Sequence, residues 1–309
     1  MKIQVKEMKK RMAVIGGAGF IGSHITDKLI EQGYEAIVID NLSTGKIENV
    51  NLKAKFYKLD ITEDSDIIKV LLEGIDTVFL TAAMARVQPS IIDPVTFNKV
   101  NVEGTLKVLM ACKAANVRRV VYSASSSVYG DTTVFPTPEG VKAQPLSPYG
   151  LQKYIGEQYC TLFSAIYGLD TVSLRYFNVY GSRMPLEGAY RTVVSIFGEQ
   201  YKNDKPLTIT NNGNQRRDFT YVGDVVNANI LAGEYPEPLK GDVFNIGNGK
   251  NYSVNEIADM FGREKVYNES RIEPLITLAD NKKAKLYLKW EPTGDIVKWI
   301  EKYKKELKG

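Results

Sequence analysis

The chain has one histidine, His24, and two cysteines, Cys112 and Cys160, in 309 residues. That scarcity excludes a good deal. A zinc site draws most of its ligands from His and Cys, and a Ser-His-Asp triad needs a histidine beside its serine. His24 lies in the helix that follows a glycine turn and reads as structural. Each cysteine falls in a predicted helix and reads as a buried free thiol of a reducing compartment. Long apolar runs are missing too. None approaches the roughly 18 residues of a membrane span. The N-terminal MKIQVKEMKKR is basic but lacks the apolar core of a signal peptide, so the expected location is cytoplasmic. Neither sign of charge dominates, with 40 Lys and Arg against 36 Asp and Glu, and nothing suggests a nucleic-acid footprint. No metal site is expected. Acid–base chemistry must then come from tyrosine, lysine or carboxylates.

What is present is an ordinary globular composition, 44% hydrophobic and 25% charged, long enough for one large or two modest domains. Residues 12–16, MAVIG, form an apolar strand that runs into GGAGFIGSH. An amphipathic helix follows to a stop at Gly33, then a second apolar strand, EAIVID, ending at Asp40. Further strands are expected at 54–60, 75–83, 117–125 and 170–178. Helices are expected at 63–74, 93–116 and from Ser147 to about Tyr167. Apolar strands alternating with helices predict an α/β fold, a Rossmann-type doubly wound parallel sheet covered on both faces. The rhythm breaks after Asn178. We expect a nucleotide-binding domain over 1–178 and a smaller mixed α/β substrate domain over 179–309. The helix from Val222 and the strand DVFNIG, within 222–250, are candidates to return to the first sheet.

Gly16, Gly19 and Gly22 sit at the first strand-to-helix turn. Glycine is needed there for the tight turn and for close approach of backbone to a pyrophosphate, with free helix N–H groups beyond it. Asp40, about 20 residues on, can accept bonds from both ribose hydroxyls and would repel a 2′-phosphate. The cofactor predicted is therefore NAD rather than NADP. Asp60, ending the third strand, can contact adenine and can equally cap the next turn. Farther along, SPYGLQK opens a helix with Ser147 as N-cap and Pro148 at the first position. Tyr149 and Lys153 then share a face one turn apart. A phenol with a pKa of about 10 is a poor base, and a neighbouring ammonium would favour its phenolate.

Together, GGAGFIG, YGLQK and YSASSSVYGD resemble the extended short-chain dehydrogenase/reductases, and among them the UDP-glucose (UDP-galactose) 4-epimerases. The likeness runs from about residue 12 to about 300 through DNLSTGK, AAMARVQPSIIDP, NVEGT, RYFNVYG, QRRDFTYVGDVV, FNIGNG and LADNKKAKLYLKWEP. It implies a catalytic trio of Tyr149, Lys153 and Ser125. Tyr149 would take the proton of the sugar 4-hydroxyl, hydride would pass from carbon 4 to NAD, and a transient 4-keto sugar would turn over before hydride returned. It implies cofactor contacts from Phe20 and Ile21 in the glycine turn, and from Asn41, Ser43, Thr44 and Gly45 after Asp40. Asp60, Ile61, Ala82, Ala83, Asn101, Tyr149, Lys153, which can bond the nicotinamide ribose, and Tyr176 complete that set. For the UDP-sugar it implies Ser125, Ser126, Tyr149 and Asn178, the diphosphate clamp Arg217, a second arginine at Arg271, and Leu207 and Ile209 flanking uracil. Arg271 lies one residue closer to LAD than is usual, and a surface arginine is the competing reading. A plain edge strand explains Leu207 and Ile209 equally.

There are departures from the pattern. Arg86 stands where a small or hydroxyl residue is usual, either on the NAD diphosphate or pointing outward. Leu80 and Thr81 replace a common His-Leu. The rival reaction, a 4,6-dehydration, needs an Asp-Glu pair where this chain has Ser126 and Ser127, and hydroxyls cannot supply that acid and base. UDP-glucuronate epimerases tend to have Thr at the Asn178 position. A catalytically silent NAD-binding regulator would usually lack the Tyr or the Lys. Thr277 falls at the position whose bulk decides whether an N-acetyl group fits. It is small, and GAY at 188–190 also resembles the N-acetylhexosamine enzymes. The acetylated pair UDP-GlcNAc/UDP-GalNAc is thus a further candidate. The resemblance also implies that the helices at 94–115 and after Ser147 pair across a two-fold axis, in a homodimer built on a four-helix contact.

Overall fold

The structure, a computed structural model, describes residues 10–186, 191–269 and 273–308. The basic N-terminal stretch before residue 10, Gly188 to Tyr190 and Arg271 lie outside them. In chain order the elements begin with β1 (Arg11–Ile15), α1 (Phe20–Glu31), β2 (Glu35–Asp40), β3 (Lys55–Lys58), α2 (Ser65–Leu71) and β4 (Thr77–Leu80). Next come α3 (Val87–Ile92), α4 (Pro94–Asn98), α5 (Thr105–Ala114), β5 (Arg119–Ser125), α6 (Pro148–Tyr167) and β6 (Asp170–Tyr176). The second half holds β7 (Val179–Tyr180), α7 (Val193–Lys202), β8 (Leu207–Thr210), β9 (Arg216–Asp218), β10 (Thr220–Tyr221) and α8 (Val222–Glu234). It closes with β11 (Asp242–Ile246), β12 (Asn251–Ser253), α9 (Val254–Phe261), β13 (Lys265–Asn268), α10 (Lys282–Leu288) and α11 (Ile296–Lys308).

Seven strands form one parallel sheet in the order β11-β6-β5-β4-β1-β2-β3. The strands are apolar throughout because both faces are covered. One face packs α2, α5 and α6 around Ile15, Val78, Val120 and Phe163. The other packs α1, α8 and α10 around Val14, Val121, Val225 and Trp290. This is a Rossmann-like doubly wound α/β fold. β11 pairs with β6 in register from Asp242 opposite Val172 to Ile246 opposite Tyr176, although 65 residues separate the two strands. A second lobe, made of α7, α9, α11 and short strand pairs, has its own core of Phe197, Leu207, Ile209, Phe261 and Ile300.

The helix expected over 93–116 is continuous in path but not in winding. A π-helical turn over Lys99–Gly104 separates α4 from α5. Within it lies Asn101, whose side chain accepts from the Met84 N–H at 2.8 Å and donates to the Met84 carbonyl and to Gln152. Such turns recur where a helix adjusts to a functional site. Here it brings the segment after β4 against α6.

Candidate active site

The cofactor end is built by close packing at the C-terminal edge of the sheet. Gly16 has φ +91°, and a Cβ there would lie 2.4 Å from the Ala82 nitrogen. A Cβ on Gly22 would lie 2.2 Å from the Gly16 carbonyl oxygen. Only glycine lets the turn, the start of α1 and the end of β4 come together. α1 begins at Gly19 with no side-chain cap, so its first amides are offered to an anion. Asp40 is nearly buried and accepts from the Ala18 N–H at 3.0 Å and the Leu42 N–H at 2.8 Å. Burial raises its pKa above the usual carboxylate range. Each of its oxygens keeps a lone pair for a hydroxyl. An uncapped helix start over a glycine cradle, beside a carboxylate, fits a dinucleotide without a 2′-phosphate. Asn41 donates to Asp60, whose other oxygen accepts from Thr62, so Asp60 caps its own turn as the alternative reading had it. Ser43 and Thr44 are exposed, and Gly45 packs on Ala18 and Asp40. Phe20, Ile21, Ala82 and Ala83 border the same turn half-buried, whereas Ile61 is largely sealed beneath Gly104.

The second half of the site lies where β5 ends and α6 begins. Ser147 caps α6, its hydroxyl accepting from the Gly150 N–H at 3.1 Å, with Pro148 in the first turn. The Tyr149 N–H, which the helix leaves free, donates to the buried Ser90 hydroxyl at 3.1 Å. The Tyr149 phenol lies close to the Ser125 side chain, which favours its ionised form. Ser127 donates to that same Ser125 oxygen at 2.8 Å, the local turn bond expected of a serine-rich strand end. Ser126 is half-buried beside them. Lys153 is buried one turn along α6, and its Nζ donates to the Ser123 carbonyl at 2.8 Å.

Burial raises the Tyr149 pKa, and the groups that oppose this are the Ser125 side chain and the Arg86 charge. Lys153 is directed to Ser123 instead, and burial pulls its own pKa down to about 8. The Arg86 charge acts on the phenol and favours its ionised form.

On the substrate side, Asn178 is exposed just past β6, and its carbonyl accepts from the Thr220 N–H at 2.9 Å. Arg217 is buried, ion-paired to Glu273, with Nη1 on the Arg216 carbonyl at 2.9 Å. Thr277 lies beside it. Its hydroxyl accepts from the Asp218 N–H at 3.2 Å and its own N–H donates to the Arg216 carbonyl. Tyr176 is nearly buried, with its hydroxyl between Ser123 and Asn229. Leu207 and Ile209 are placed differently from the uracil contacts expected. Both are 0% exposed inside the second lobe, so neither residue can touch a base.

Sequence reasoning missed several residues. Asp218 accepts from the N–H groups of Asn248, Gly249 and Ala279 at 2.7 to 3.0 Å, and so stitches QRRDF, FNIGNG and LAD together. Burial raises its pKa to about 6. The buried Arg175–Glu157 pair ties β6 to α6, with Tyr129 on the free guanidinium edge. Glu273 had no local signal, since it meets Arg217 from 56 positions away. His24 is structural, bridging the Phe20 carbonyl and the Ser182 hydroxyl. Cys112 and Cys160 are free and buried. Among the described residues, no cluster of His, Cys, Asp or Glu could hold a metal, and no helix is long and apolar enough to cross a membrane.

The glycine cradle, Asp40 and the Ser125–Tyr149–Lys153 corner lie on one fold that a family model for NAD dependent epimerases and dehydratases matches over residues 12–247. The chain belongs to the NAD dependent epimerase/dehydratase family. NAD is that family's cofactor. Its curated relatives include a putative UDP-glucose 4-epimerase of Methanocaldococcus jannaschii, 39% identical over 94% of this chain and 95% of its own length. Among solved structures, the UDP-glucose 4-epimerase of Thermotoga maritima with UDP-glucose is 38% identical, with a TM-score of 0.91 over 96% of this chain and 97% of that one. The UDP-N-acetylglucosamine 4-epimerase of Methanobrevibacter ruminantium, in complex with UDP-N-acetylmuramic acid, is 34% identical, with a TM-score of 0.89 over 97% of both. Within the family, the chain groups with UDP-sugar 4-epimerases.

Proposed function

We propose that this protein interconverts UDP-glucose and UDP-galactose. The observation that carries the reading is Tyr149 set beside the Ser125 side chain at the end of β5, with Lys153 buried one turn behind it on α6. When bound, NAD supplies a hydride acceptor and donor. The chain supplies the proton handling. Tyr149 takes the proton of the sugar 4-hydroxyl and returns it, and the neighbouring Ser125 hydroxyl holds or relays it. Arg86 favours the phenolate electrostatically. Arg217 clamps the diphosphate, a task suited to a planar guanidinium already fixed by Glu273. Ser126 and Ser127 offer no carboxyl group for a dehydration. The small Thr277 side chain beside Arg217 supports the acetylated pair as a second substrate class. A panel of UDP- and dTDP-sugars, with product stereochemistry read by NMR, tests this. Turnover of UDP-galactose to UDP-glucose is expected. Bound NAD with no epimer from any sugar would overturn it in favour of a silent NAD-binding protein.

We also propose a homodimer. α4, α5 and α6 leave Val95, Met110, Leu151, Leu162 and Ile166 exposed, with a groove between Pro94, Val95 and Leu151. Paired across a two-fold axis, these faces would bury one another as a four-helix contact. Light scattering at micromolar concentration should give twice the chain mass, and a monomer would count against it.

A further inference from the structure

Lys153 belongs to the catalytic trio that the resemblance implies, and what lies beneath it is still unexplained. Tyr122, on β5, is buried with its ring centroid 4.9 Å from the Lys153 Nζ. α6 makes room for this ring at a cost. A Cβ on Gly156 would sit 2.2 Å from the Tyr122 hydroxyl and 2.7 Å from Cζ, so position 156 cannot carry a side chain while the ring stays. Glycine inside a helix costs about 1 kcal/mol relative to alanine. The hydroxyl itself does not account for the arrangement. It lies near Thr105 without a well-formed hydrogen bond. What remains is the ring face, whose electron density attracts an ammonium most strongly where water is excluded.

The ammonium has few other friends. Among the described residues it has one hydrogen bond, to the Ser123 carbonyl, and no carboxylate partner. Around the Tyr122 ring, α6 presents Tyr149, Glu157 and Cys160, of which Cys160 also acts on Lys153; Cys112 of α5 stands behind Cys160, and Tyr176 of β6 meets the Ser123 side chain. Glu157 is bound to Arg175, both thiols are protonated, and the Tyr176 hydroxyl is held by Ser123 and Asn229. We infer that Tyr122 is a positioning residue for Lys153: its ring face keeps the ammonium charged and seated at the inner end of the cleft. The role in turnover rests on the proposed epimerase reading, but the contact itself does not.

The test therefore reads Lys153 directly. Protein carrying ¹³Cε-lysine is titrated by NMR, with Lys153→Met identifying the resonance, and UDP-galactose epimerisation is followed against pH in parallel. Tyr122→Phe keeps the face and should titrate within a few tenths of a pH unit of wild type. Tyr122→Leu removes the face and should lower the Lys153 midpoint by about one pH unit, with the alkaline limb of kcat moving by the same amount. A Leu variant that titrates with wild type overturns the proposal, and so does a Phe variant that shifts as far as Leu. If the Leu variant fails to fold, pentafluorophenylalanine at 122, compared with phenylalanine, reverses the ring face at nearly constant size. It should lower the midpoint, and no change would overturn the proposal. Failure of turnover with an intact titration pattern would count against the epimerase reading alone.

Discussion

Replacing Lys153 with methionine should change the pH dependence of stability in a defined window. The side chain is 3% exposed, and burial pulls its pKa from 10.5 to about 8. At about 1.4 kcal/mol per pH unit, holding the charged form inside costs about 3 kcal/mol. Below pH 8 the amine is protonated in both folded and unfolded chains and contributes no slope. Between 8 and 10.5 the unfolded chain binds a proton that the folded chain has released, so wild-type stability gains with rising pH. Above 10.5 both are neutral and the slope vanishes. Methionine has similar length and no proton. Wild type minus Lys153→Met should therefore climb by about 3 kcal/mol from pH 7.5 to pH 10.5. Near neutrality the variant should be the more stable, less about 1 kcal/mol for the lost bond to Ser123. Urea unfolding followed by circular dichroism, in half-unit pH steps, measures this, because tyrosines and carboxylates common to both proteins cancel in the difference. Two parallel stability curves across the window would refute a buried, destabilised ammonium at 153.

Tyr149→Phe keeps the ring and removes the proton acceptor. UDP-galactose turnover should fall by about 10²- to 10⁴-fold with UDP affinity nearly unchanged, and a loss under tenfold would remove Tyr149 from the proton path. Gly22→Ala places a methyl 2.2 Å from the Gly16 carbonyl, which is backbone and cannot swing aside. Purified protein should then retain little NAD and lose about 1–3 kcal/mol of stability, so full cofactor content with wild-type stability would show the cradle to be looser than drawn. Thr277→Tyr should cut turnover of the N-acetylated pair at least about tenfold relative to the plain hexoses, in keeping with a pocket that rejects added bulk. An unchanged ratio would mean that the acetamido group is read elsewhere.

Local chemistry made much of the first lobe legible. Ser147 and Pro148 marked the start of α6, and Gly168, in the left-handed conformation, marks its end at the expected place. β2 spans the residues that its unbroken apolar run ending in Asp40 predicts. The glycine turn was readable because steric need acts within a few residues. Long-range contacts were less readable. The hydrogen bonds of Asn101, within the π-helical turn, reach Met84 and Gln152, which no window around 101 contains. The burial of Leu207 and Ile209 depends on β13 and α9 arriving later in the chain. Lys153 was placed on the correct face of α6, but its hydrogen bond to Ser123 follows from how α6 sits on β5, which spacing along a helix does not determine.

Because β11 is encoded so far behind its neighbour, the growing chain cannot finish its first lobe in one pass. A nascent polypeptide that has emerged only through Asn178 would expose the whole backbone edge of β6, along with apolar surface that α8 and α10 later cover. The ribosome must deliver β7, α7, β8, β9, β10 and α8 before that edge is sealed. Splitting the gene near position 178 should accordingly yield an aggregation-prone front piece rather than a working nucleotide module, and residues 242–246 supplied as a separate peptide would be the fragment most apt to rescue it.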